Sequence, residues 1–327
     1  MENAEQINQL ASAFQGSRVL LTAFELELFT ALEKGEMDSA TLAGKLDTDT
    51  RATDRLLNVL CSLGLINKKN NLFSNAPAAS RHLVKGKPGY LAGLSHRNNL
   101  WDTWTNLTGA VYGDEKKKEA AKKKKQKEWS ESFIRAMHTR AHASAPGIVA
   151  QIDLQGVKRV LDVGGGSGAF SIQFVKQGVN LKASVFDLPH VVEMTKRYVS
   201  EAGVEASFDF LPGDYNQVES FGSGYDLAFL CAIIHINSPQ SNQKLVQKCF
   251  DALQSGGRLV INDFIMDEDR INPQFGAFFA LNMLVGTAEG DTYTESEIRS
   301  WYEKAGFRDV KRLEPLGPGT SIIGSKP

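Results

Sequence analysis

The sequence has few cysteines, no excess of one charge and no long apolar run, and each shortage excludes a class of protein. Its three cysteines (Cys61, Cys231 and Cys249) are far apart and form no CxxC pair, so neither a disulfide framework nor a zinc cluster is expected. The net charge of -1 gives no reason to expect a nucleic-acid or membrane partner. The N-terminus has no basic segment before an apolar core, and no run approaches a membrane span. The cytoplasm is the expected location.

The length and composition describe a globular protein with room for two cores. At 327 residues the chain is long for one compact unit, and 42% of its residues are hydrophobic. The pattern of apolar residues changes twice along the chain. We predict a winged-helix dimerisation domain over residues 1–100, a helical linker over 101–155 and a doubly wound α/β domain over 156–327.

The first segment reads as helix, turn, helix and hairpin. Apolar residues recur at helical spacing over residues 8–33, and Gly35 follows as a stop. Ser39 is placed to cap a short helix, and Gly64 ends the next one. The hairpin has its bend at Lys69-Asn70-Asn71. This order is that of a winged helix.

Winged helices often contact duplex DNA, and that alternative is weighed against the charges of the second helix. Arg51 and Arg55 lie at its start, and the rest of it is largely apolar. Base readout needs several polar side chains, and phosphate binding needs a basic face. The better interpretation is a packing module whose first helix buries excess apolar surface against a second subunit.

Residues 90–150 have a helical pattern rich in aromatic residues, with a lysine cluster inside it. The cluster, residues 115–129, favours a solvated helix or a mobile linker, with an electrostatic docking patch as the alternative. The following helix places Phe133 and Met137 on one face, and Pro146 is predicted to lie just before a final linker helix.

The stretch Lys158–Phe174 is where the chemistry of the second half begins. A short apolar run, Val160–Val163, is typical of a strand buried on both faces of a parallel sheet. A glycine-rich turn and a helical pattern follow. Strand, turn and helix open a βαβ unit whose glycines let a ligand approach bare backbone at the helix N-terminus. The glycines are Gly164, Gly165, Gly166 and Gly168.

Two cofactors fit this turn. Gly164-x-Gly166-x-x-Ala169 satisfies the permissive dinucleotide fingerprint, which indicates NAD. Asp162-x-Gly164-x-Gly166-x-Gly168 satisfies the acidic pattern of S-adenosylmethionine (SAM) methyltransferases. A glycine-rich turn without a cofactor is a third possibility.

The segments after Gly156 alternate strand with helix and predict an open α/β sheet. Five strands are predicted, and a closing antiparallel hairpin turns around Gly317-Pro318-Gly319. Ligands of such sheets bind beyond the carboxyl ends of the strands. Four predicted strands place an acid or a histidine there: Asp187, Asp214, His235 and Asp263.

The later strand ends favour SAM over NAD. Asp187 has the spacing of a ribose ligand and suits both cofactors. Asp214, after Gly213, can accept from an adenine amino group, and Tyr215 can lie on the adenine face. A dehydrogenase would need a catalytic domain after the cofactor half, whereas here the chain ends with the sheet.

The ordered motifs resemble the SAM-dependent O-methyltransferase family of plant caffeate and flavonoid O-methyltransferases, hydroxyindole O-methyltransferase and bacterial relatives. They are VLDVGGGSG, VFDLPHV, GDY, IIH, GGRLVINDF and YTESEI, behind a winged helix. The resemblance covers nearly the whole chain. It implies a homodimer with interlocked N-terminal domains, a small-molecule acceptor and no metal.

The resemblance also implies the roles of individual residues. His235 aligns with the general base, and Asp263 with the acid that orients it. Met137 and Met283 match positions that sandwich the acceptor ring. The cofactor positions are Asp162, Gly164, Gly165, Gly166, Asp187, Leu188, Gly213, Asp214 and Tyr215. The remaining pocket positions are Trp101, Phe133, His138 and Asn282, of which the last two can equally be satisfied core groups.

Three departures from the family pattern bear on the acceptor. The family often has His-Asp-Trp at the base, where this chain has His235-Ile236-Asn237. The second acidic partner aligns with Thr292, and a lysine near the cofactor aligns with Cys231. The predicted function is in-line SN2 transfer of a methyl group from SAM to the hydroxyl of a small aromatic or polyketide-like molecule. The alternatives are C- or N-methylation and a non-catalytic ligand-binding protein.

Overall fold

The computed structural model describes residues 3–113, 131–316 and 319–327, which form two compact units, Met1–Asp102 and Thr103–Pro327. The first unit is mainly helical. Its core consists of apolar side chains of the helices and the small hairpin, among them Leu28, Phe29, Leu57, Leu60 and Phe73. Its elements are α1 (Ala4–Ser12), α2 (Phe14–Glu25), α3 (Leu28–Leu32), α4 (Ser39–Leu46), α5 (Thr50–Ser62), β1 (Ile66–Lys69), β2 (Leu72–Asn75) and α6 (Pro77–His82). The next helix, α7 (Leu94–Trp104), begins in the first unit, and its last two residues belong to the second.

The single helix predicted over residues 8–33 is wrong, because the chain breaks it twice to give α1, α2 and α3. Glu27 adopts a left-handed φ of 52°, which an α-helix cannot contain. The cap of α4 also lies one residue earlier than predicted: the side chain of Asp38, not Ser39, accepts from the Thr41 amide at 2.7 Å.

The predicted hairpin is present as β1 and β2, which pair antiparallel. Asn70 and Asn71, between the strands, have φ values of 49° and 62°. Two consecutive left-handed residues make a two-residue loop of the type that matches the strand twist, and asparagine tolerates that conformation better than most residues.

The second unit is built on a seven-stranded sheet with helices on both faces. The order is β10-β11-β7-β6-β3-β4-β5, with the central strands parallel and β11 antiparallel to both β7 and β10. The strands are β3 (Arg159–Val163), β4 (Lys182–Asp187), β5 (Phe208–Pro212), β6 (Tyr225–Cys231), β7 (Leu253–Asp263), β10 (Arg308–Arg312) and β11 (Thr320–Ser325). The predicted doubly wound sheet with a C-terminal antiparallel hairpin is confirmed.

The helices of this unit are α8 (Leu107–Val111), α9 (Glu131–Ala150), α10 (Ala169–Gln177), α11 (Pro189–Glu201), α12 (Pro239–Ala252), α13 (Gln274–Gly286) and α14 (Glu295–Ala305). A separate pair, β8 (Ile265–Met266) and β9 (Tyr293–Thr294), is parallel. The linker prediction was wrong at Pro146, which lies inside α9 rather than before a new helix. The lysine cluster and Gly317-Pro318 lie outside the described residues.

Of the two strand ends predicted at His235 and Asp263, the first differs from its prediction and the second agrees with it. The strand predicted to end near His235 stops at Cys231, because Ala232 takes a left-handed φ of 56° and turns the chain out of the sheet. His235 then lies in a 3-10 turn, Ile234–Ile236. The strand predicted to end near Asp263 leaves the main sheet at that residue, as expected, and residues 265–266 pair with β9.

The core beneath α9 and α10 is organised around Phe229 of β6. Its side chain is fully buried, and its ring lies 5.1 Å from the rings of both Phe170 and Phe174. No helix within the described residues combines the length and apolarity that a bilayer crossing requires.

Phe229→Ala should lower the free energy of unfolding by about 3–5 kcal/mol, because it leaves a cavity between two rings that cannot close up fully. Chemical denaturation followed by circular dichroism measures the change. Val179→Ala, at a site that is 74% exposed, is the control and should shift stability by less than about 0.5 kcal/mol. A Phe229→Ala protein as stable as this control would contradict the assignment of the core.

Candidate active site

The glycine turn joins β3 to α10 and combines close packing with an open side. Gly164, Gly166 and Gly168 all have positive φ, at 70°, 57° and 74°. A Cβ on Gly164 would lie 2.2 Å from Cδ1 of Ile233, so only glycine allows the turn to touch that residue. A Cβ on Gly166 would meet nothing within 4 Å. Gly166 therefore presents backbone to open space, as a cofactor site requires.

Asp187 ends β4 and ties this turn to the next strand. One carboxylate oxygen accepts from the Gly166 amide at 2.8 Å, and the other accepts from the Leu188 amide at 2.7 Å. Burial raises the pKa of Asp187, and the two amide donors oppose that rise. Each carboxylate oxygen has a second lone pair, so the group can still accept from two adjacent ribose hydroxyls.

Asp162, a predicted cofactor-binding residue, is buried against the turn. It is 1% exposed, and its Oδ2 accepts from the hydroxyl of Ser171 at 2.6 Å. A Cβ on Gly165 would lie 2.9 Å from the Asp162 carboxyl, which shows how closely the turn covers it. Asp162 thus supports the turn from below. Burial raises the pKa of Asp162 to about 7.

The end of β5 carries Gly213, Asp214 and Tyr215. A Cβ on Gly213 would be 2.7 Å from the ring of Phe186, so this position also needs glycine. The Asp214 carboxylate accepts from the Asn216 amide at 2.8 Å. The Tyr215 hydroxyl donates to Oδ1 of Asn237 at 3.0 Å, and burial raises the pKa of Tyr215 to about 12. The phenol is therefore a neutral donor at physiological pH.

His235, in the turn after β6, and Asp263, the last residue of β7, form a buried pair. Nδ1 of His235 lies 2.7 Å from Oδ1 of Asp263, and the two residues are 8% and 3% exposed. Oδ1 also accepts from the Phe264 amide at 2.8 Å, while Oδ2 has no hydrogen-bond partner among the described residues. A carboxylate acceptor places the ring proton on Nδ1, which leaves Nε2 as the acceptor.

Three phenylalanines surround this imidazole, and the sequence analysis did not select them. The Phe279 ring meets the His235 ring edge to face at 4.9 Å, and the Phe264 ring lies 5.8 Å away. Phe275 contacts both of these rings, at 5.9 and 5.1 Å. The run of apolar residues in α13 was the available signal, but an apolar helix reads first as core.

The predicted acceptor-pocket residues are only partly brought together. Met283 is buried in α13, and Asn282 beside it accepts from the indole of Trp104 at 3.1 Å. Met137 on α9 is half-buried. Trp101 belongs to the first unit, where it stacks under the guanidinium of Arg18. The side chain of Phe133 lies outside the described residues.

His138 is directed at the cofactor turn. Its Nδ1 is 2.8 Å from the hydroxyl of Ser167, and its ring stacks on Tyr198 at 3.9 Å. Burial lowers the pKa of His138, which favours the neutral ring. Nδ1 of His138 therefore already has a hydrogen-bond partner in the turn.

Two of the positions that depart from the family pattern, Cys231 and Thr292, have local partners. Cys231 donates from its thiol to Oδ1 of Asn262 at 3.5 Å, and Asn262 donates to the hydroxyl of Ser321 at 2.8 Å. Thr292 is 2% exposed and donates to the Gly276 carbonyl. Within the part of the chain that the structure describes, no three metal-ligating side chains are grouped.

A glycine turn, a ribose-type carboxylate and a histidine–aspartate pair at one edge of a doubly wound sheet define a SAM-dependent methyltransferase. Residues 104–308 match the O-methyltransferase domain family, and residues 8–85 match the O-methyltransferase dimerisation domain. The chain therefore belongs to the O-methyltransferase family, with SAM as its cofactor. The predicted family, enzyme class and cofactor are confirmed.

Sequence similarity to known proteins extends over almost the whole chain. It is 31% identical to 3-hydroxy-5-methyl-1-naphthoate 3-O-methyltransferase of Streptomyces sahachiroi, covering 97% of this chain and 93% of that protein. It is 28% identical to the tetracenomycin polyketide synthesis 8-O-methyl transferase TcmO of Streptomyces glaucescens, covering 98% and 95%. The solved structure of PigF with SAH, from Serratia sp., has the same fold, with a TM-score of 0.87 at 24% identity and complete coverage of both chains.

The buried Asp162 predicts a pH dependence of stability. Its folded-state pKa of about 7 lies above the ordinary 3.8, so the folded state holds the proton more tightly than the unfolded chain does. The wild-type protein should lose stability as pH rises from about 4 to about 7, and Asp162→Asn should remove that loss. The stability difference between variant and wild type should grow by at most about 1.4 kcal/mol per pH unit.

Urea denaturation at closely spaced pH values measures this difference. Asp209→Asn, which replaces an exposed carboxyl on β5, is the matched control. If Asp162→Asn and Asp209→Asn gave the same pH profile, the raised pKa of Asp162 would be refuted.

Proposed function

We propose that this enzyme methylates a hydroxyl group of a small aromatic or polyketide-like acceptor, with His235 as the general base. The observation that carries the proposal is the 2.7 Å bond from His235 to Asp263, next to the turn that suits SAM. The relatives named for a naphthoate and for a tetracenomycin polyketide support the acceptor class.

The cofactor pocket that we propose uses residues on three neighbouring strand ends. Gly164, Gly165 and Gly166 would lie against the methionine moiety, because the turn offers backbone without side chains. Asp187 beside Leu188 would bind the ribose hydroxyls. Asp214, next to Gly213, would accept from the adenine amino group, with Tyr215 along the adenine ring. SAM, when bound, supplies a methyl group already activated on a sulfonium.

The residues of the chain then have two tasks, which are alignment and removal of one proton. In-line transfer needs the acceptor oxygen held on the axis of the bond that breaks, and positioning of this kind supplies a large part of a rate enhancement. Nε2 of His235 accepts the hydroxyl proton as the new bond forms, while Asp263 holds the proton on Nδ1. A base in this role contributes roughly 10²–10⁴-fold.

Aromatic side chains near the base support a flat acceptor. Phe264 and Phe279 contact the imidazole directly, and ring faces and edges favour aromatic ligands. We place the acceptor beside these rings, with Met137 and Met283 as further contacts. The roles of Trp101 and Phe133 in residues 101–155 stay predictions.

We also propose that two copies of this chain associate through residues 1–100. The match of residues 8–85 to a dimerisation domain supports this arrangement. Ile7, Leu10 and Phe14 on α1 and α2 are 57%, 60% and 56% exposed, which is more apolar surface than a free helix usually presents.

His235→Ala should lower kcat by about 10²–10⁴-fold, because it removes the proton acceptor, and should leave the affinity for S-adenosylhomocysteine nearly unchanged. Turnover with a panel of hydroxynaphthoates and calorimetry with S-adenosylhomocysteine measure the two quantities. His142→Ala, which removes an exposed histidine of α9, is the control. An active His235→Ala enzyme would refute the base, and NMR of the product would show whether oxygen receives the methyl group.

Asp263→Asn should lower kcat by about 10²–10⁴-fold, which is nearly as large a loss as that of His235→Ala. The asparagine amide can donate to Nδ1, which moves the ring proton to Nε2 and removes the acceptor. Asp263→Glu keeps a carboxylate and should recover part of the rate. Equal kcat values for the Asn variant and the wild type would show that the acid does not set the tautomer.

A further inference from the structure

Asn237, two residues after the proposed base, joins four parts of the second unit. Its side chain is buried, and its Oδ1 accepts from the Tyr215 hydroxyl at 3.0 Å. Its Nδ2 donates to Oδ1 of Asn242 at 3.1 Å and to the Ile233 carbonyl at 3.3 Å. Its carbonyl accepts from the hydroxyl of Tyr293. Both polar atoms of this side chain have hydrogen-bond partners, so its position is strongly determined.

These bonds hold the 3-10 turn that carries His235. The Ile233 carbonyl, one acceptor of the Asn237 amide, also accepts from the Ile236 amide at 3.2 Å. Asn242, the other acceptor, donates in turn to the Ile234 carbonyl at 2.9 Å. The carbonyls on the N-terminal side of His235 are therefore fixed by two linked amides. Moving Asn237 would move the imidazole.

The bond to Tyr215 connects this turn to a distant strand end. β5, which precedes Tyr215, and β6, which precedes the turn, are separated in the sheet by β3 and β4. The loop after β5 is itself anchored, since the Lys248 ammonium donates to the Tyr215 and Val218 carbonyls at 2.8 and 2.7 Å. The hydrogen bond of the Tyr215 hydroxyl thus links the loop after β5 to the turn that carries His235.

Packing alone does not fix this contact. A cavity of about 280 Å³ borders both Tyr215 and Asn237, and Ser241, Lys244 and Glu289 are also in its wall. Tyr215 packs against the hydrophobic core on one side, and the hydrogen bond to Asn237 fixes its hydroxyl beside the cavity. The orientation of the Tyr215 ring therefore depends on Asn237, and Asn237 in turn depends on the phenol.

We propose that Asn237 is a positioning residue that transmits occupancy of the adenine pocket, through Tyr215, to the turn that holds His235. An adenine ring placed along Tyr215 restricts the phenol, the phenol orders the Asn237 amide, and the amide orders the turn. Cofactor binding thereby prepares the base before the acceptor arrives. This inference rests on the proposed roles of Tyr215 and His235.

The decisive probe is adenosine, which can fill the adenine and ribose sites but has no sulfur end to reach His235 directly. The full-length protein is labelled with ¹³C-histidine, and the His235 imidazole resonance is assigned by its loss in His235→Ala. Saturating adenosine should shift or sharpen this resonance in the wild type. In Tyr215→Phe, which keeps the ring and removes only the hydroxyl, the change should fall to less than half.

Tyr112→Phe, at a tyrosine that is 86% exposed, controls for the loss of any phenol and should behave as the wild type does. An equal response of Tyr215→Phe and wild type to adenosine would overturn the proposal. So would a wild-type resonance that saturating adenosine leaves unchanged.

A double-mutant cycle in turnover gives an independent readout. Loss of one neutral hydrogen bond corresponds to about a tenfold change, and we expect Tyr215→Phe to lower kcat by that factor. In the His235→Ala background the same substitution should change kcat by less than about twofold, because no base remains to be positioned. Additive effects would contradict the coupling. Absence of methyl transfer by the wild type would instead count against the proposed function, while the adenosine experiment would still decide the coupling.

Discussion

The contact between Gly164 and Ile233 is the constraint on which the arrangement of the site depends. A single added carbon at Gly164 would come within 2.2 Å of Ile233, so the cofactor turn and the base turn are packed backbone against side chain. Gly290 makes a similarly close contact, since a Cβ there would lie 2.5 Å from the His235 carbonyl. The segment Ile233–His235 is thus in close contact with two glycines. A displacement of either turn would therefore displace the other, because close-packed interiors transmit strain.

Three buried carboxylates lie near the same edge of the sheet, where burial of their charge is unfavourable in free energy. Asp162, Asp187 and Asp263 are each less than a tenth exposed. An ionised carboxylate in such a place loses hydration that hydrogen bonds restore only in part. Asp187 accepts from two amides, Asp263 from an amide and an imidazole, and Asp162 from one hydroxyl. The group with the fewest donors has its pKa raised to about 7, as its surroundings require.

Much of the fold could be predicted from the sequence, because its signals are local. The apolar run before Gly164 marks a buried strand, and the acids at Asp187 and Asp263 follow further apolar runs. The strand ends converge because parallel strands share one orientation, which brings residues 187 and 263 to one edge without any knowledge of their contacts.

What could not be predicted depends on contacts between distant residues. The break at Glu27 is a left-handed residue with no glycine to announce it. The burial of Asp162 depends on Ser171 and on the glycine turn above it, whereas the motif alone favours a ligand contact. Asn237 was noted only as a departure from tryptophan, since its bonds to Tyr215 and Tyr293 join segments 22 and 56 residues away.

The rings around His235 bear on which acceptors the site can use. Phe264, Phe275 and Phe279 form one connected cluster, with centroid separations of 5.1, 5.9 and 4.5 Å. An aromatic surface beside His235 restrains a planar ring without supplying hydrogen bonds, so it discriminates by shape more than by substituents. A polar acceptor of the same size would find few partners there for its other groups, and their lost hydration would weaken its binding. The cluster therefore supports the proposal of a flat, largely apolar acceptor whose reacting hydroxyl reaches Nε2.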